Sequence, residues 1–255
     1  MVLGIEFPPV SHLVNWPEFA FEDTPFAFSK VTVTYVLAVI LTFGFFWLAG
    51  RKKRLVPAGV QNVAEASLDF VRESVIMQTM GSQGLGWLPF LVTMFFFIFF
   101  INIFEVIPVF QMPGNARIAV PLILAVTVWF IYNIVGIRRQ GFGHYMKNSL
   151  VPPGVPKALL ILVVPIEFVS TFLVRPFSLA IRLFANMLAG HFILVTFALL
   201  CADLFAASVT VVLLPFTFGL LVALTGFEVL VAGLQAFIFA ILTAVYIGGS
   251  MSPEH

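Results

Sequence analysis

Long apolar runs closed by short clusters of basic residues dominate the chain. The first, about 31–50, has the roughly 20 apolar residues a membrane helix needs and stops abruptly at Arg51, Lys52, Lys53 and Arg54. Residues 1–30 carry Glu6, Glu18, Glu22 and Asp23 with several prolines and no basic stretch ahead of an apolar core. They read as a short mobile polar lead and not as a secretion signal. After Pro57 the period changes. Val60, Ala64, Leu68, Val71 and Val75 form one stripe, with Gln61, Asn62, Glu65, Asp69, Arg72 and Glu73 opposite, which predicts an amphipathic helix over 58–80 lying flat on the membrane surface. The stretch 85–137 predicts a helical hairpin. Its first arm runs from about Leu85 to Phe110, turns at Pro113-Gly114-Asn115, and returns through about Ile118 to Gly136 toward Arg138, Arg139 and Lys147. Both basic clusters fall on one side in this scheme. The positive-inside rule makes that side cytoplasmic and puts the N-terminus outside.

The stretch 158–250 is apolar apart from Glu167, Arg175, Arg182, Asp203, Glu228 and His191. It predicts two very long helices, about 158–200 and 206–246, with the break near Asp203. Each would measure on the order of 60 Å against a hydrocarbon core of about 30 Å. Either both tilt steeply, or Pro165, Pro176 and Pro215 divide them into shorter spans. Tilt is favoured, because upright packing would leave Arg182 and Glu228 against lipid tails.

Composition agrees: 61% hydrophobic and 10% charged residues leave too little polar surface for a water-soluble chain of 255 residues. The fold class expected is all-α and integral to the membrane, with about five crossings in one membrane domain over 1–255. A net charge of +1 gives no basic face for nucleic acid, and one cysteine, Cys201, excludes an internal disulfide and any thiol cluster for a metal. No motif calls for a cofactor.

Arg182 is the residue on which a functional reading turns. A guanidinium keeps its proton, so it cannot become neutral in a low dielectric as a lysine can. Insertion scales put an arginine at mid-membrane at roughly 2.5 to 3.5 kcal/mol. Its presence signals a structural ion pair with a group such as Glu228, snorkelling to an interface, or a functional task. Arg182 and Asn186, four apart, share a helix face, and His191, nine beyond Arg182, points nearly opposite. Glu228 and Gln235, seven apart, fall on one stripe of the last helix. Gly226, Gly233, Ala236, Ala240 and Ala244 share a side, a small-residue pattern that usually means close helix packing.

The run Arg175-Pro176-Phe177-Ser178-Leu179-Ala180-Ile181-Arg182-Leu183-Phe184-Ala185-Asn186-Met187-Leu188-Ala189-Gly190-His191 resembles the signature of the F-type ATP synthase a subunit family, and Leu234-Gln235-Ala236-Phe237-Ile238-Phe239 resembles its last-helix motif. The resemblance covers nearly the whole chain. It implies that Arg182 is the essential arginine, Asn186 its neighbouring asparagine, and Gln235 the glutamine beside the arginine. Asn102 and Glu105 resemble the polar pair of the outer access path. Some bacterial members carry a glutamate after the signature glycine and a histidine on the last helix; here His191 and Glu228 resemble the exchanged pair, which implies that the two side chains meet. Glu167 resembles an acidic residue of the inner path, and Arg175 is expected to anchor to headgroups or a carboxylate on the cytoplasmic side.

The resemblance further implies the partners: a rotor ring of hairpin subunits, each with a mid-membrane carboxylate, and peripheral-stalk subunits, all in a bacterial plasma membrane with this chain's C-terminus in the cytoplasm. The chain would then be a non-catalytic, ion-translocating stator subunit. Two other classes compete with this reading. A stand-alone secondary transporter would suit a midplane Arg/Glu site but normally shows related halves, and no internal repeat is visible. An intramembrane enzyme would need a nucleophile with its base or a metal motif, and neither a GxSxG nor an HExxH occurs.

Overall fold

A computed structural model of the chain describes residues 18–20, 28–51, 56–107, 114–151, 155–156, 159–206 and 210–251. Five of its helical stretches are long and apolar enough to cross a membrane: Lys30–Arg51, Gly81–Ile103, Ala119–Gln140, Leu160–Phe205 and Val211–Met251. Large apolar side chains face outward along them, Phe43, Ile161 and Phe216 among them. A soluble fold would bury such side chains; in lipid they need no cover. The chain is a multi-pass membrane protein whose spanning part is all-helical.

Within the polar lead, β1 (Glu18–Ala20) pairs antiparallel with β2 (Phe28–Ser29). The rest of the lead lies outside the described residues. Helix α1 (Lys30–Arg51) ends on Arg51, whose guanidinium stacks over Trp47 at 4.4 Å. Helix α2 (Val60–Val71) continues through a π turn (Arg72–Ile76) into the short α3 (Met77–Thr79). Ala64, Val71 and Val75 of the amphipathic stripe are buried, while Val60 at its start is exposed. On the polar face Gln61 donates to Glu65 one turn on, at 2.8 Å.

A 3-10 turn (Gly81–Trp87) leads into α4 (Leu88–Ile103), which ends well before the Phe110 expected from hydropathy. Hydropathy cannot see this stop, because the residues beyond it are also apolar. The backbone tightens to i→i−3 bonds at Glu105 and Val106, ahead of Pro108, whose ring disfavours a helical residue before it. A 3-10 turn (Gly114–Ala116) precedes α5 (Ala119–Gln140), which carries Arg138 and Arg139 in its last turn, where they complement the helix dipole. Gly141, at φ 79°, lets the chain leave α5 and enter α6 (Phe142–Leu150) at once, a conformation open mainly to glycine.

Helix α7 (Leu160–Phe168) runs through a π turn (Val169–Val174) into α8 (Arg175–Ala206), so Pro165 and Pro176 do not divide this stretch. The expected break at Asp203 is also displaced. Asp203 sits inside α8, because a single carboxylate neither removes a backbone donor nor clashes as proline does. A 3-10 turn (Thr210–Leu213) then leads to α9 (Leu214–Met251), with Pro215 in its first turn, where the missing N–H costs nothing.

The chain packs as two compact units. The first takes residues 1–42, 97–117 and 184–235; the second takes 43–96, 118–183 and 236–255. The second has an ordinary apolar core of Val71, Val75, Ile76, Leu91, Val128 and Leu183, lined on α9 by Ala236, Ala240 and Ala244, all fully buried. Their small side chains permit close helix approach. Gly226, placed on the same stripe by spacing, is exposed and meets nothing within 4 Å.

The π turn in the second unit has a local cause. Arg175 N–H bonds Ser170 O, one residue farther back than in an α-helix. The next such donor, for Thr171 O, would be residue 176, and Pro176 has no N–H. Tyr132 of α5 supplies the missing donor, its hydroxyl reaching Thr171 O at 2.9 Å while the ring is almost wholly buried. Tyr132→Phe keeps the ring and orphans the carbonyl, which should cost about 1–3 kcal/mol and lower the melting temperature of the purified protein. An unchanged melting temperature would show that the carbonyl has another donor.

Candidate functional site

The first unit has a polar interior, built where four segments converge. The last turn of α4 brings Asn102, and the tightened turn after it brings Glu105; both are buried, although flanked by Ile101, Ile103 and Phe104. The turn Gly114–Ala116 folds over them. Asn115, with no exposed surface, donates its Nδ2 to Asn102 Oδ1 at 2.6 Å. The same turn is fastened to α1 by Tyr35, whose hydroxyl donates to Gly114 O at 2.6 Å. A Cβ at Gly114 would lie 3.0 Å from the Tyr35 ring and 2.9 Å from Ile101, so glycine is what permits the approach.

From α8, His191 places Nδ1 4.0 Å from Glu105 Oε1, with both side chains almost fully buried. From α9, Glu228 lays its carboxyl group against the backbone of Gly190, and a Cβ added there would meet both carboxyl oxygens at 2.6 Å. Glycine at 190 is therefore what lets the carboxylate reach the turn that carries His191. Buried polar groups are ordinarily hydrogen-bonded. Here Asn102 Nδ2, both Glu105 oxygens, Asn115 Oδ1 and Glu228 Oε2 have no hydrogen-bond partner among the described residues. A buried cluster so rich in unspent donors and acceptors suits water and a transferable proton better than it suits packing. Gln235 is also buried in this unit, whereas Asn186 is exposed on α8.

In the second unit, Arg182 is half-buried on α8 between the buried Ala180 and Leu183. Within that unit it forms no ion pair or hydrogen bond with any described residue. Glu167, on α7, is half-buried as well. Among the described residues Arg175 forms no ion pair with a carboxylate: its guanidinium sits over the Tyr246 ring at 5.6 Å, and Tyr246 packs against Tyr132 at 5.8 Å. The aromatic face supplies the partial negative charge that a carboxylate was expected to provide. Among the described residues no group of three or more His, Cys, Asp or Glu is placed to hold a metal.

The structure thus gathers Asn102, Glu105, His191 and Glu228 of the expected site, with Gln235 in the same unit. Two members were not legible in advance. Asn115 belongs to a stretch whose composition says only "turn", and nothing in that signal shows the turn folding inward. Tyr35 sits in an apolar span where one tyrosine carries no periodic information.

Comparison with known proteins agrees with this architecture. The profile of the family described as "ATP synthase A chain" matches residues 31–248. The "ATP synthase subunit a" of Parafrankia sp. (strain EAN1pec) is 45% identical over 254 residues, covering 96% of this chain and 83% of the relative. That of Rhodococcus erythropolis (strain PR4 / NBRC 100887) is 44% identical over 229 residues, covering 88% and 82%. That of Streptomyces lividans is 37% identical over 258 residues, covering 99% and 90%. With a family profile spanning most of its length and relatives this similar over nearly the whole sequence, the chain belongs to the ATP synthase A chain family.

Proposed function

We propose that this chain is the proton-translocating stator subunit of the membrane sector of a rotary ATP synthase, non-catalytic by itself. The observation that carries the reading is Arg182: a permanent cation in an apolar helix, with no acid of its own unit paired to it among the described residues. Such a charge needs a counter-charge from elsewhere. A rotor ring of hairpin subunits, each bearing one mid-membrane carboxylate, would supply it, with peripheral-stalk subunits holding the stator still.

The chemistry follows from solvation. A ring carboxylate facing lipid is favoured in its protonated form, because burial penalises charge. Opposite Arg182 the ionised form is favoured and the proton leaves. Two aqueous half-paths, offset on either side of the arginine, then make rotation the route from one to the other. Arg182 also blocks a direct leak, since a fixed positive charge repels a passing proton. The outer half-path is assigned to Asn102, Glu105, His191 and Glu228. Histidine suits relay because its unperturbed charge change falls near neutral pH. The inner half-path is assigned to Glu167. Asn186 and Gln235 are assigned, from the family resemblance, to the surface that meets the ring. Helix α9 alone has a contour of about 57 Å at 1.5 Å per residue, so it lies steeply tilted in a bilayer core of about 30 Å. The N-terminus faces outward and the C-terminus lies in the cytoplasm of a bacterial plasma membrane, following the basic clusters.

Three outcomes test this. In reconstituted complexes, Arg182→Ala should reduce proton-driven ATP synthesis to background with assembly intact; near-normal coupled synthesis would refute the mechanism. His191→Ala and Glu228→Ala should each slow flux by about tenfold, the scale of one lost relay group partly bridged by water; if both pump at the normal rate, the outer-path assignment is wrong. Gly190→Ala should displace the Glu228 carboxyl and slow flux to a similar degree, and the shorter side chain of Glu228→Asp should restore part of it. Full activity of the single Gly190→Ala variant would show that the close contact is dispensable.

A further inference from the structure

The outer-path assignment leaves a fully buried asparagine, Asn115, without a task. Asn115 has no exposed surface and makes a 2.6 Å bond from Nδ2 to Asn102 Oδ1. Its own Oδ1 and the Asn102 Nδ2 have no hydrogen-bond partner among the described residues. Two amides facing each other normally exchange whatever bonds geometry allows. Here one bond forms and one donor and one acceptor are left over, in the same unit as the two unspent Glu105 oxygens. Asn102 and Glu105 are joined by a backbone bond, Glu105 N–H to Asn102 O at 3.2 Å, so the amide and the carboxyl belong to one tight turn.

We infer that Asn115 is a positioning residue of the outer path: by holding the Asn102 carbonyl it turns the Asn102 amide nitrogen, as a fixed donor, toward the water that serves Glu105. This rests on the reading of function above and extends it to a residue outside the α4, α8 and α9 motifs.

The logic is one of orientation. A free asparagine amide offers a donor and an acceptor on nearly equivalent faces, and in a wet channel it flips between them. A chain of waters that carries a proton has a direction, and every group along it must present the matching end. In the bond observed, Asn115 Nδ2 donates to Asn102 Oδ1, so it takes the oxygen face of Asn102 for itself and leaves the nitrogen face for the path. The placement of Asn115 is not accidental. The turn that carries it is tied down by the Tyr35 hydroxyl on Gly114 O, and Gly114 admits the Tyr35 ring and Ile101 where a side chain would clash.

The test uses the intact reconstituted complex and compares Asn115→Ala, Asn115→Ser, Asn102→Ala and the double variant Asn102→Ala with Asn115→Ala. Alanine and serine leave nearly the same space, so a packing role predicts equal flux for the two. The positioning role predicts that Asn115→Ala slows proton flux about fivefold, the scale of one lost directional hydrogen bond, and that the serine hydroxyl, still a donor, restores at least about half of that loss on the same scale. Because Asn115 acts through Asn102, the double variant should be no slower than Asn102→Ala alone. Equal flux for alanine and serine, wild-type flux for Asn115→Ala, or losses that multiply in the double variant would each overturn the proposal. Arg182→Ala in the same preparation separates the two levels. If it still supports coupled synthesis, the functional reading itself falls; if it is inactive while Asn115→Ala is normal, only the role of Asn115 falls.

Discussion

A guanidinium inside an apolar helix has no way to lower its own cost. Lysine, histidine and the carboxylic acids can all become neutral in a low dielectric, and arginine cannot. Arg182 therefore obliges its surroundings to supply negative charge or water, and its own unit supplies no paired acid among the described residues. In the proposed function, a carboxylate delivered by a moving neighbour would meet that need intermittently, and the intermittence would convert a static charge into a proton-release step. Helices α8 and α9 run 32 and 38 residues without interruption, and in the proposed function their length would give such a neighbour an extended face to pass.

Within the first unit, the polar interior is shaped by the absence of side chains as much as by their presence. Gly190 gives up a Cβ so that the Glu228 carboxyl can lie on the backbone beside His191. Gly114 gives one up so that a turn can fold over Asn102 and fill the end of α4. In the second unit the same economy governs the backbone. Pro176 withdraws a donor, the helix widens into a π turn, and Tyr132 closes the account from a neighbouring helix. Such local departures from regular helix recur at functional sites because they free backbone and side-chain polar groups where a plain helix would consume them.

The membrane spans were legible because apolar length and basic flanks are direct consequences of bilayer thickness and charge asymmetry. The polar residues were legible as well, since each ionisable group in such a background stands out. What the pattern could not deliver was where helices stop and what lies across from what. Hydropathy ran past Ile103 because residues beyond the helix end are still apolar, and Asp203 suggested a break that the backbone had no reason to make. Spacing along one helix set His191 and Arg182 on different faces, but it gave no hint that Glu105 would stand 4.0 Å from His191. Nor could it show that Asn115, in a stretch read only as a turn, would point inward. Those facts belong to long-range packing, and one periodic sequence carries little information about it.

The most direct measurement is an experimental map of the intact membrane complex at a resolution that defines side chains around Arg182. The account predicts a carboxylate from a separate ring subunit facing the guanidinium inside the bilayer, with polar openings to opposite sides of the membrane flanking it. A guanidinium clamped to Glu167 or Glu228 of its own chain with no ring beside it, or one standing in bulk water, would contradict it.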